Sequence, residues 1–153
     1  MIQLADQVFA GRNDPSQLAV NGKVIERLLR IHPATMSEYD DGNGPVVWIL
    51  LIPTTDGLMN RFIANEISEK ELFELTPLQT KYDALYLCSA MALEEYRGKG
   101  IAKKLTLKAI ESIRKDHPIK TLFVWPFTSQ GELLADKLAQ SICLPLKKKK
   151  AVY

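Results

Sequence analysis

The chain has 153 residues, 46% of them hydrophobic and 25% charged, with a formal net charge of +2. That size and make-up suit one compact globular domain that buries about two-thirds of its unfolded surface and needs no disulfide or metal to fold, and no internal repeat or low-complexity linker interrupts it. Two cysteines, Cys88 and Cys143, form neither a disulfide framework nor a zinc pattern, so both are expected as buried thiols in a reducing cytosol, with no metal.

Residues 2–10 place Ile2, Leu4, Ala5, Val8 and Phe9 at helical spacing. This start lacks a basic region and a small-residue cleavage site, so a cytoplasmic location is expected. Asp14-Pro15 reads as an N-cap followed by proline at the first helical position. The apolar stripe through Leu18, Val24, Ile25, Leu28, Leu29 and Ile31 predicts a helix, with Asn21-Gly22 as an interruption and Pro33 as its end. Residues 34–39 are expected as a short strand, and the run Asp40-Asp41-Gly42-Asn43-Gly44 as the turn of a hairpin. The longest apolar run, residues 45–53, is too short to span a membrane and is read as the hairpin's second strand. Thr54 or Thr55 caps a short helix, and Ser68 with Glu71 matches a capping box for another, closed by Pro77.

The second half alternates regular elements. Residues 84–93 are mostly apolar, as in a strand buried on both faces. A glycine-containing turn leads to a helix over about 99–115, whose inward face carries Ile101, Ala102, Leu105, Ala109, Ile110 and Ile113. Residues 119–125 predict a second buried strand and residues 129–140 an amphipathic helix. Strand, helix, strand, helix implies parallel strands joined by a crossover. Charge is uneven: residues 1–80 hold 6 basic and 11 acidic side chains, and residues 81–153 hold 14 basic and 7 acidic. An anionic ligand on the C-terminal half fits that asymmetry. Nucleic acid is not expected, since the basic residues lack interleaved aromatics.

The segment Arg97-Gly98-Lys99-Gly100-Ile101-Ala102 stands where the buried strand turns into a helix. The first amides of a helix have no intrahelical partner and its dipole is positive there, so the place suits an anion; glycines let a phosphate reach the backbone. Lys99, Lys103 and Lys104 add positive charge. A dinucleotide fingerprint and a P-loop both require a glycine, or at best an alanine, where Lys103 stands. The letters do fit R/Q-x-x-G-x-G/A, read as Arg97, Gly100 and Ala102. In this the chain resembles the GNAT superfamily of acyl-CoA-dependent N-acyltransferases, over about residues 83–140.

The resemblance implies one α+β domain over residues 1–153, built on a twisted mixed sheet of five or six strands flanked by helices. Residues 1–80 form its divergent half and 81–153 its coenzyme-binding half. The chain opens with helices, so the usual first strand is expected to be missing, and two short helices stand between the hairpin and the central strand. The resemblance also implies acetyl-CoA as co-substrate. Its diphosphate would lie on Arg97, Gly98, Lys99, Gly100, Ile101, Ala102 and Lys103, its pantetheine along Ala90, Met91 and Ala92, with Ser129 on the next helix. The two parallel strands would splay, and a bulge in the first would turn a backbone N–H to the thioester carbonyl. The activity implied is transfer of an acetyl group to a small-molecule or peptide primary amine. The helix after Trp125 has Thr128, Ser129, Ala135 and Asp136 where the family often carries an asparagine and a tyrosine acid. A non-catalytic acyl-CoA-binding or protein-interaction module therefore stays open beside the enzyme.

Tyr86 is the candidate acid on the central strand, with a core tyrosine as the alternative. Glu38 and Asp40 are expected as solvated hairpin acids or as holders of a cationic substrate. His32 and His117, each before a proline, are read as helix C-caps. Cys88 is read as inert, and Trp48 and Trp125 as core or cleft wall. Lys147, Lys148, Lys149 and Lys150 are read as a charged edge strand or as contacts to the coenzyme's 3′-phosphate. An uncovered sheet edge permits a homodimer.

Overall fold

The computed structural model describes residues 21–96, 99–126 and 129–149. The helix expected over residues 2–10 and the start at Asp14-Pro15 lie outside them. Helix α1 (Gly22–Ile31) begins at the predicted interruption, because the Asn21 side chain accepts the Val24 N–H and caps it. Its buried face is Ile25, Leu28 and Ile31. The strand expected from residue 34 begins two residues later, because Pro33–Thr35 form a 3₁₀ turn. That turn is fixed by His32, whose Nδ1 accepts the Ala34 N–H and whose carbonyl accepts the Thr35 N–H.

Strands β1 (Met36–Asp40) and β2 (Pro45–Thr54) form the hairpin, and Asp40 Oδ1 accepts the Gly42 and Gly44 amides in its turn. Thr55 caps α2 (Asp56–Ile63), and the full Ser68–Glu71 capping box opens α3 (Glu69–Leu75). Strand β3 (Ala84–Ala92) leads to α4 (Ile101–Asp116), then β4 (Thr121–Val124), α5 (Ser129–Ile142) and β5 (Leu146–Lys148). Strand β4 is shorter at both ends than the apolar run 119–125. Cys143 departs from expectation: its φ of 56° puts it in the left-handed turn that ends α5, with its thiol exposed, while Cys88 is buried.

The result is an α+β fold around a five-stranded mixed sheet of order β1-β2-β3-β4-β5. The β1–β2 and β2–β3 pairs are antiparallel, and β3–β4 and β4–β5 are parallel. Side chains alternate across the sheet. Ile49, Leu51, Leu87 and Val124 meet residues of α4 and α5 on one face, while Tyr86 and Phe123 turn to the other and meet Phe62 of α2. Val47, Leu50, Ile52, Leu85 and Leu122 are fully buried between these layers. Among the described residues no helix is long and apolar enough to cross a membrane.

Candidate functional site

The site grows from the end of β3. After Ala92 the chain makes a 3₁₀ turn, Glu94–Tyr96, and reaches Gly100; Arg97 and Gly98 lie outside the described residues. Gly100 holds φ 75° and ψ 7°, a left-handed geometry that costs a side-chain-bearing residue about 1–2 kcal/mol. Backbone angle demands glycine here; among the described residues a Cβ would meet nothing within 4 Å. The first intrahelical bond of α4 is Lys104 N–H to Gly100 O, at 3.1 Å. The amides of Ile101, Ala102 and Lys103 therefore precede the helical ladder. No acid stands in that first turn, and Lys99, Lys103 and Lys104 surround it.

The approach to this turn is tethered. The Tyr96 hydroxyl donates to Asp41 Oδ2 in the hairpin turn, and Lys99 Nζ lies 5.4 Å from the centre of the Tyr96 ring. The same hydrogen bond pushes the Tyr96 phenol up to about 12 and holds the Asp41 carboxyl below the usual carboxylate range. The hairpin turn, remote in sequence, thus holds the end of the 3₁₀ turn that follows β3.

Beside it a cleft opens within the sheet. The β3–β4 ladder runs through Ala84↔Thr121, Leu85↔Leu122 and Tyr86↔Phe123 and stops there, while β3 continues to Ala92. Opposite, the β2–β3 register shifts between Leu50↔Ser89 and Leu51↔Leu87, so Cys88 is an extra residue on β3, a bulge. Where the parallel strands diverge lies a cavity of about 210 Å³. Its walls are Leu87, Cys88, Ser89 and Ala90 of β3, Val124, Trp125 and Pro126 at the end of β4, Thr106 of α4, and Gly131, Leu134, Ala135 and Leu138 of α5, backed by Ile49 and Leu51. The lining is mostly apolar, and among its described residues Cys88 alone has a titratable side chain.

The structure brings most of the sequence-expected residues together. Ala90 lines the cavity, Met91 and Ala92 follow it along β3, and Ile101, Ala102 and Lys103 open the adjoining helix. Ser129 is the exposed first residue of α5. Tyr86 is placed apart from these. It is 0% exposed, stacks on Phe123, and its hydroxyl donates to the buried Glu69 Oε2 at 2.6 Å on the face opposite α4 and α5.

The other candidates are mostly structural in their contacts. Asp40 holds its own turn. Glu38 is not a turn acid: it lies half-buried on β1 directly across from Trp48, and Glu38 Oε2 and Trp48 Nε1 are both buried without a hydrogen-bond partner among the described residues. His32 follows α1, and its Nε2 donates to Asp116 Oδ2 at 2.7 Å, which lowers the Asp116 carboxyl. His117 follows α4, and burial holds its imidazole below 6.5. Of the terminal lysines, Lys147 and Lys148 lie on edge strand β5 and reach Asn60, Glu132 and Asp136, and Lys150 lies outside the described residues.

Sequence reasoning missed Lys149, which is buried with its Nζ against the rings of Phe62 and Trp125. A run of four lysines reads as solvent-facing, and nothing in the local sequence sets one of them apart. Among the described residues no group of three His, Cys, Asp or Glu side chains is placed to hold a metal. No protein-family model matches the chain, and neither a curated protein nor a solved structure matches it.

Proposed function

We propose that the protein has a GNAT-like fold and transfers an acetyl group from acetyl-CoA to a primary amine by direct attack. The observation that carries this reading is the divergence of β3 and β4 beside a helix that opens on a left-handed glycine. A diphosphate on the amides of Ile101, Ala102 and Lys103 gains from the helix dipole and from Lys99 and Lys103. The pantetheine amides then run along β3 from Ala92 toward Leu87, on the side that β4 leaves at Tyr86. The acyl end reaches the apolar cavity, where the Cys88 bulge turns the strand out of register, a geometry suited to polarising a thioester carbonyl. The amine nitrogen attacks that carbonyl, the C–S bond breaks, and the thiolate takes the proton that the amine gives up.

A second reading, a module that binds acyl-CoA without turning it over, is favoured by one observation. The described cavity lining offers no carboxylate, imidazole or phenol to serve as acid or base, and the Tyr86 hydroxyl is engaged with Glu69. Calorimetric titration of acetyl-CoA against the wild type and Gly100→Trp tests what the two readings share. We expect micromolar binding to the wild type and a loss of at least about tenfold in the variant; equal affinity, or none in either, ends both. Thiol release over a panel of amines separates them, since a binder frees no coenzyme A above the hydrolysis blank.

A further inference from the structure

Lys149 stands at the C-terminal end of the parallel strands, where ligands of open α/β sheets collect. Its N–H donates to the Val124 carbonyl at 2.9 Å, carrying β5 along β4 one residue past the Val124↔Lys148 pair. Its neighbours Lys147 and Lys148 reach outward to Asn60, Glu132 and Asp136. Lys149 turns inward instead and is 8% exposed. Its Nζ lies 4.3 Å from the centre of the Phe62 ring and 4.1 Å from that of Trp125. The two rings are 6.1 Å apart at 74°, so they form two walls of a corner around the ammonium.

An ammonium taken from water loses hydration, and the negative faces of the Phe62 and Trp125 rings contribute to replacing it. Lysine is seldom buried to this degree without such compensation. Trp125 also forms part of the wall of the cavity between β3 and β4. One indole therefore belongs both to the ammonium corner and to the cleft assigned to the acyl group.

We infer that the Phe62–Trp125 corner is a binding site for an unbranched primary alkylammonium on the acceptor side of the cleft, with Lys149 as its built-in occupant. An external amine must displace Lys149 to enter, so Lys149 restrains access to the site. The corner's affinity for an ammonium is independent of the acyl-transfer reading; its role as the acceptor site rests on that reading.

The Lys149→Ala variant removes the stem beyond Cβ, and n-propylammonium carries the missing atoms. Calorimetry should show n-propylammonium binding this variant at least tenfold more tightly than 1-propanol, and at least tenfold more tightly than it binds the wild type. Equal affinity for the alcohol, or equal affinity in the wild type, overturns the proposal. If the variant does not fold alone, n-propylammonium and not 1-propanol should restore its circular dichroism; no restoration overturns the proposal equally.

A second arm follows thiol release from acetyl-CoA with n-propylamine. Lys149→Ala should exceed the wild type at least tenfold, whereas Lys149→Met, which refills the space without a charge, should stay at the wild-type rate. Acetyl-CoA binding is titrated on the same proteins. Acetyl-CoA and n-propylammonium both bound without thiol release would overturn the acceptor role and leave coenzyme binding standing. Absence of acetyl-CoA binding would overturn the acyl-transfer reading, and the first arm would still decide the ammonium site.

Discussion

The two halves of the sheet are built differently. On the antiparallel side, β2 is paired along its length, with β1 on one edge and with β3 from Val47↔Ala92 to Thr54↔Ala84 on the other. On the parallel side, β3 and β4 pair only from Ala84↔Thr121 to Tyr86↔Phe123 and then part. The first half closes the core; the second keeps a cavity within it. Unequal strand lengths make the opening: β4 ends at Val124 while β3 runs to Ala92, and Pro126 prevents β4 from following.

The largest expected effect comes from breaking the closed packing. Phe62 is fully buried against Tyr86, Phe123 and Trp125, so Phe62→Ala should cost about 3–5 kcal/mol in denaturant unfolding. Leu134→Ala, at the wall of a cavity that already exists, should cost well under half as much. Equal costs would contradict the contrast between the two sides.

Next is Tyr86→Phe, which removes a donor from the buried Glu69 carboxylate and should cost about 1–3 kcal/mol. Because the hydroxyl faces away from α4 and α5, acetyl transfer should change less than about twofold in kcat. A hundredfold fall in kcat without loss of stability would instead make Tyr86 the acid.

The smallest effect is one of pH. Burial holds the His117 imidazole below its ordinary 6.5, and its Nδ1 faces the Tyr82 N–H at 3.4 Å. Lys81, Asp116 and His32 surround it, the two imidazole rings 5.9 Å apart. A depressed folded value means that its stabilisation is complete above 6.5 and is lost as pH falls through the folded value. Melting temperature should therefore drop on acidification from pH 7 toward pH 5, and His117→Gln should flatten that slope. An unchanged slope would remove His117 from the account.

What was legible in the sequence was local. Thr55 and the Ser68–Glu71 pair cap helices through neighbours three residues away, and Gly100 marks its own left-handed turn, whereas Asn21, expected as an interruption, is itself a cap. The order of strands and helices followed from apolar periodicity. What was not legible depended on partners distant in the chain. Tyr86 finds Glu69, Tyr96 finds Asp41, and His32 finds Asp116 only once the sheet is assembled. Strand β5, from Leu146 to Lys148, is too short for alternation to mark an inward face. The inward turn of Lys149 depends on Phe62, which no reading of four consecutive lysines could supply.

The most direct test is a backbone amide NMR titration with coenzyme A. The account predicts shifts concentrated at residues 87–92 of β3 and at Ile101, Ala102 and Lys103, with the β1–β2 ladder nearly unmoved. Shifts gathered instead at the groove between Glu111, Arg114 and Ser141, or no shifts at all, would contradict it.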